Sequence, residues 1–202
     1  MKILDLVQMF TLLEDIERYD VSTFRHCVRV NSLAMQIADN LGLGETEKHD
    51  LFVAALLHDY GKIFIPKNLL FKCSRMSKYE YEIAKLHVTL GTEFLNGYDF
   101  ISSESMDGIS QHHERLDGSG YPKGTKDIKI IGRILGVADV FDALTNDRCY
   151  KGPCSVKYSC DVIRKDGGIK FDEKVIDSLE TVVTSNHIID DSMFTIIREK
   201  HN

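Results

Sequence analysis

Among the side chains able to hold a metal ion, seven on or beside predicted helices stand out: His26, His58, Asp59, His87, His112, His113 and Asp139. Imidazole nitrogens and carboxylate oxygens together form a donor set for iron, manganese, zinc or nickel. A pair of such ions can activate water and clamp a phosphate ester. The seven are scattered along the chain, and no compact ligand motif of the H-E-x-x-H kind links them. Taken singly, each has an ordinary role, such as a surface or satisfied core histidine or an aspartate capping a helix. What gives them weight together is that each sits on or beside an apolar segment with helical spacing. Facing helices of a bundle are able to aim such side chains at one centre.

The segments that must position these residues are legible in the hydrophobic periodicity. Residues 3–16 carry Ile3, Leu6, Val7, Phe10, Leu13 and Ile16 at helical intervals, which predicts a first helix. The pattern repeats over 21–41 through Phe24, Val28, Leu33, Ile37 and Leu41, stopping at Gly42-Leu43-Gly44. A third helix is expected over 46–58, with Thr46 as its cap, and another over 77–95, opened by a capping-box-like Ser77-Lys78-Tyr79-Glu80. A polar stretch over 96–107 reads as a connection, followed by a short helix over 109–115 and the glycine-rich loop 117–122. Helices are also expected over 131–145, 155–164 and 173–184. No segment alternates convincingly enough for a strand, so the fold expected is an all-α, single-domain helical bundle with the site between its helices.

Composition narrows the function. At 202 residues the chain can bury one substantial core. Its 43% hydrophobic and 28% charged residues are those of an ordinary globule. A net charge of −6 argues against a nucleic-acid polymer as partner, because that needs a basic face. The longest apolar runs, such as 53–57, are too short to cross a membrane. The amino terminus lacks the basic opening of a secretion signal, and the five cysteines show no C-x-x-C pair, so a cytoplasmic protein with reduced thiols is expected. Cys149, Cys154 and Cys160 match no ligand spacing and read as structural thiols. His49, His187 and His201 read as surface residues.

Three longer strings add specificity. They are His58-Asp59-Tyr60-Gly61-Lys62, then His112-His113-Glu114-Arg115-Leu116-Asp117-Gly118-Ser119-Gly120-Tyr121-Pro122, and Val137-Ala138-Asp139-Val140-Phe141-Asp142-Ala143-Leu144-Thr145. In order and spacing they closely resemble the HD-GYP family, a branch of the HD metal-dependent phosphohydrolases. The resemblance runs from about Thr23 through Asp172 and takes in Ile65-Pro66, His87-Val88-Thr89-Leu90-Gly91 and Arg148-Cys149-Tyr150-Lys151. It divides the chain into an N-terminal helix, 1–20, packed on or leading into a catalytic domain, 21–202. That helix can serve as a lid on the core, a dimerisation face or a connection to a sensor.

What the resemblance implies follows the matched positions. His26, His58, Asp59, His87, His112, His113 and Asp139 would hold two divalent metals, iron or manganese by family and zinc or nickel by donor type, with Asp59 between them. A shared hydroxide would attack phosphorus, hydrolysing cyclic di-GMP to pGpG, with further cleavage to GMP left open. Lys62, four residues after His58, is expected one helical turn along on the same face, where it can steady charge on the leaving oxygen. Its plainer role is a lysine favouring the end of a helix dipole. Arg148 and Lys151 match positions that meet the substrate's phosphates, against the plainer reading of a solvated pair. Gly120, Tyr121 and Pro122 form the loop of the family's name, for which a structural and partner-facing role is expected rather than catalysis. Relatives with three metals carry a Glu four residues before the first His, and this chain has Ser22 there, so two metals are expected. The alternatives are another cyclic dinucleotide such as cyclic GMP-AMP, a nucleotide substrate, or a weakly catalytic module acting through protein partners.

Overall fold

The computed structural model describes residues 2–72, 74–146 and 152–185, and the regular structure within them is helical. The helices are α1 (Ile3–Tyr19), α2 (Val21–Leu41), α3 (Glu45–Leu57), α4 (Lys67–Leu70), α5 (Lys78–Leu95), α6 (Ser103–Gln111), α7 (Ile130–Thr145), α8 (Val156–Arg164) and α9 (Glu173–Thr184). A 3-10 turn, Tyr60–Phe64, follows α3. No strand occurs among the described residues, only an isolated bridge between Gly167 and Phe171. No helix among them is long and apolar enough to cross a membrane.

Local chemistry sets most of the helix ends. Asp20 ends α1 and caps α2, its carboxylate accepting from the Thr23 N–H at 2.6 Å. Gly42 closes α2 in the left-handed region at φ 73°. Ser77 and Glu80 form a reciprocal capping box on α5, and Ser102, Ser155 and Asp172 cap α6, α8 and α9.

The ends of α3 and α6 depart from the periodicity. The third helix starts at Glu45, not Thr46, because the Glu47 carboxylate accepts from the Gly44 N–H at 3.0 Å. It ends at Leu57, leaving His58 and Asp59 outside it. The polar stretch is a connection over 96–102, as expected, but from Ser103 it belongs to α6, which ends at Gln111 rather than 115. Its buried face uses small residues, Ser105 and Gly108, beside Ile109, and Ser105 satisfies its hydroxyl on the Asp50 carbonyl at 3.0 Å. A hydrogen-bonded serine serves as a core residue there, which hydrophobic periodicity does not register.

α2 lies at the middle of the bundle, packed against α1, α3, α7 and α9, while α6 bridges α3, α5 and α7. Leu33, Ile37, Leu51, Leu57, Ile109, Ile134 and Leu135 are all but fully buried between them. Each such side chain contributes about 1.5–3 kcal/mol of burial. Met9, Leu12, Leu13 and Ile16 bring α1 into the same apolar cluster. The helices α2, α3, α5, α6 and α7 thus meet around one interior space.

Candidate metal centre

Each of the seven candidate side chains reaches that space from a different local setting. His26 lies within α2, His87 within α5 and Asp139 within α7, whereas His58 and His112 are the residues that close α3 and α6. Three of the imidazoles are held by their own backbone. The Nδ1–H of His58, His87 and His112 donates to the carbonyl three residues earlier, Ala55, Ala84 and Ile109, at 2.8, 2.7 and 2.6 Å. A carbonyl only accepts, so these contacts fix the tautomer and leave Nε2 with its lone pair aimed inward.

The consequence is a set of buried acceptors in need of an electrophile. Nε2 of His87 and of His112 has no hydrogen-bond partner although both rings are buried. An unsatisfied buried polar atom costs about 1–3 kcal/mol. Two trios form, His26 with His58 and Asp59, and His87 with His112 and His113, each with its donor atoms within 4.8 Å of one another. Asp59 touches both, with Oδ2 at 3.4 Å from His26 Nε2 and Oδ1 at 3.4 Å from His87 Nε2. Asp139 likewise spans His26 Nε2 at 3.2 Å and His113 Nδ1 at 3.7 Å. Orphaned imidazole lone pairs gathered around two carboxylates fit divalent metal in donor type.

Electrostatics prepares the same groups. Burial pushes the His58, His87 and His112 pKa values down, and brings His113 to about 3 despite the opposing Asp139 charge, so these rings are neutral. Burial raises the Asp59 pKa, yet the Lys62 ammonium and three surrounding imidazoles outweigh it and hold the carboxyl well below its usual range. Asp139 is held well below that range too, chiefly by the His26 hydrogen bond working against burial. His26 differs: burial lowers its pKa, but hydrogen bonds to Asp139 and Asp142 and the Asp59 charge outweigh burial and lift it to about 9.

Lys62 does not lie on a continuation of the His58 helix face, because α3 has already ended. It rides on the 3-10 turn, and its Nζ donates to Asp59 Oδ2 three residues back. Gly61 makes that turn possible. A Cβ there would lie 1.9 Å from the His87 carbonyl oxygen, so only glycine lets the turn press against α5 and bring Asp59 to His87. The loop residues Gly120, Tyr121 and Pro122 fold over the histidine doublet. A Cβ at Gly120 would meet the Glu114 Cα and His113 carbonyl at 2.4 and 2.5 Å. The Tyr121 N–H donates to the His113 carbonyl at 3.2 Å, and its ring stacks on the His113 ring at 4.5 Å. Burial pushes the Tyr121 phenol above its ordinary value, leaving a neutral wall. Arg148, Lys151, Cys149, His187 and His201 lie outside the described residues. Cys160 is buried, Cys154 partly so, and His49 is exposed. Ser22 is exposed in the first turn of α2.

Two functional neighbours carried no role in the sequence reading. Asp142 receives His26 Nδ1 at 2.7 Å and a two-pronged contact from Arg29 at 2.7 and 2.9 Å. Its spacing of three from Asp139 on one helix was the available signal. Glu114 is buried and accepts from the Lys123 and Gly124 N–H groups at 2.7 and 3.1 Å, fastening the loop that carries Tyr121. Nothing local marks that contact.

An HD domain family model matches residues 11–175 of the chain. A cyclic di-GMP phosphodiesterase from Thermotoga maritima is 36% identical over 86% of this chain and 48% of its own length. A 3'3'-cGAMP-specific phosphodiesterase 1 from Vibrio cholerae is 34% identical over 77% of this chain and 36% of its own length. The chain thus spans less than half the length of either relative. Among solved structures, an HDG"Y"P protein from Bdellovibrio bacteriovorus superposes with a TM-score of 0.66 at 26% identity, covering 79% of this chain and 51% of that one. With the family model spanning all seven candidate residues, and relatives and fold agreeing with it, the chain belongs to the HD domain family, in its HD-GYP branch.

Proposed function

We propose that this chain is a phosphodiesterase that hydrolyses cyclic di-GMP to linear pGpG, with two divalent metals held by His26, His58, Asp59, His87, His112, His113 and Asp139. The observation that carries the reading is the convergence of buried, unpartnered imidazole nitrogens on two anionic carboxylates. The name borne by the Thermotoga maritima relative supports the substrate. A bound metal pair supplies water activation at neutral pH and neutralises charge on the phosphodiester.

The residues of the chain divide the remaining work. The neutral rings of His58, His87, His112 and His113 offer lone pairs without first losing a proton. Asp59 faces both trios and holds them at a fixed separation. Lys62, charged and partly exposed beside Asp59, steadies the ribose 3′ oxygen as the P–O bond breaks and water adds to phosphorus. Arg148 and Lys151 grip the phosphates. Iron or manganese would be the metal held there, with zinc or nickel also compatible with these donors. Ser22 offers no anion in place of a third-metal carboxylate, so the count is two. The cysteine usage favours a cytoplasmic setting, and the loop at 120–122 is the surface proposed for a protein partner.

A second substrate, 3'3'-cGAMP, is favoured by one observation, the name of the Vibrio cholerae relative. Purified protein assayed for metal content and against a panel of cyclic di-GMP, 3'3'-cGAMP and cyclic di-AMP separates the readings. Two metals per chain with the highest kcat/KM on cyclic di-GMP is the expected result. Preference for 3'3'-cGAMP reassigns the substrate, and no hydrolysis with metal bound overturns the enzymatic reading.

A further inference from the structure

Asp142 is 4% exposed and lies beside the metal centre without facing its interior. Its two oxygens are fully used. Oδ2 receives His26 Nδ1 at 2.7 Å and an Arg29 guanidinium N–H at 2.9 Å, while Oδ1 receives Arg29 Nε at 2.7 Å and Asn146 Nδ2 at 2.9 Å. A carboxylate has about four acceptor positions, and all four are occupied here, so Asp142 has no capacity left to bind a cation itself.

His26 is thereby set apart. His58, His87 and His112 are oriented by a carbonyl of the preceding turn, which persists as long as the backbone there stands. His26 is oriented from another helix, by a side chain 116 positions away in sequence. Ring orientation and ligand basicity at a metal are governed by what holds the distal ring nitrogen, and a carboxylate does both most strongly. Asn146, the last described residue before the 147–151 segment, closes the same network.

We propose that Asp142, buttressed by Arg29 and Asn146, is the positioning residue of His26, and that it makes the His26–His58–Asp59 side of the centre selectively removable while the His87–His112–His113 side stands. The proposal rests on the two-metal reading above. Because the two trios share Asp59 but not His26, loss of the Asp142 charge is transmitted to one cation position and not equally to both.

The test is calorimetric titration of the metal-stripped chain with Mn2+, wild type against Asp142→Asn, with thermal melts of both metal-free proteins as a check on folding. The variant is expected to bind one Mn2+ as the wild type does and the second about 10- to 100-fold more weakly. In a His26→Ala background, Asp142→Asn is expected to change Mn2+ affinity by less than about twofold, since the interaction it serves is already gone. Equal weakening at both positions, unchanged binding at both, or a full additional loss in the His26→Ala background overturns the proposal. If Asp142→Asn does not fold, Asn146→Ala removes one of the four contacts and is expected to give a smaller weakening of the same single position; an equal loss at both or no loss overturns it. A wild-type chain that takes up no Mn2+ is a separate outcome, because it sinks the metal reading as well.

Discussion

His26 and His113 stand on opposite sides of Asp139, and the protein drives them in opposite directions. Burial dominates at His113, where Asp139 at 3.7 Å and the charge of Asp59 oppose it too weakly, and its pKa falls to about 3. His26 is buried as well, but Asp142 at 2.7 Å, Asp139 at 3.2 Å and Asp59 at 3.4 Å outweigh the burial and lift it to about 9. Two imidazoles in one pocket therefore differ in charge in the metal-free protein. Proximity of anions, more than depth, decides which ring is ready to offer a lone pair and which must first release a proton.

The change that breaks the comparison most severely is Asp59→Ala, because Asp59 belongs to one trio and also reaches His87 of the other. Turnover of the cyclic dinucleotide is expected to fall by more than about a thousandfold, with metal content reduced in the same sample. Normal turnover would refute the bridging role. Gly61→Ala should act on one side only. Its Cβ would collide with the His87 carbonyl, pushing α5 away from the turn and costing about 1–3 kcal/mol of stability, read as a lowered urea midpoint. An unchanged midpoint would show that the close approach is dispensable.

The pH dependence of the metal-free chain sharpens the same contrast. His58, His87, His112 and His113 have folded pKa values below the unfolded value of about 6.5, so the unfolded chain binds more protons as pH falls from there. Their contribution to stability is present above about 6.5 and is lost toward about 3. His26 works the other way: its contribution is complete below about 6.5 and is lost as pH rises through about 9. Urea midpoints of the chelated protein between pH 4 and 10 should decline on both sides of about 6.5. A flat profile would contradict the electrostatic picture.

The smallest effect is expected at the wall beside His113. Tyr121→Phe keeps the stacked ring and removes a hydroxyl with no catalytic duty, so kcat should stay within about twofold and stability within about 0.5 kcal/mol. Tyr121→Ala removes the ring contact and should cost about 0.5–1.5 kcal/mol. A large loss in Tyr121→Phe would give the phenol a role in the chemistry.

Much of this molecule could be read before it was folded, where the information is confined to a turn or two. The Ser77-Glu80 box, the Gly42 stop and the apolar stripe of α2 each signal a helix boundary or face through neighbours a few residues apart. The buried face of α6 leaves no such local mark, since Ser105 is a core residue only because Asp50, far away in sequence, accepts its hydrogen bond.

By itself, the sequence specified the helical class, the donor types at His26, His58, Asp59, His87, His112, His113 and Asp139, and a loop whose glycines allow close packing. Those are properties of side-chain chemistry and short-range spacing. Tertiary structure alone decided that the Gly61 turn packs against α5 and brings Asp59 to His87, and that Asp142 holds His26 across 116 positions of chain. Such contacts depend on how helices cross in three dimensions, and hydrogen bonds between distant residues leave no periodic trace along the chain.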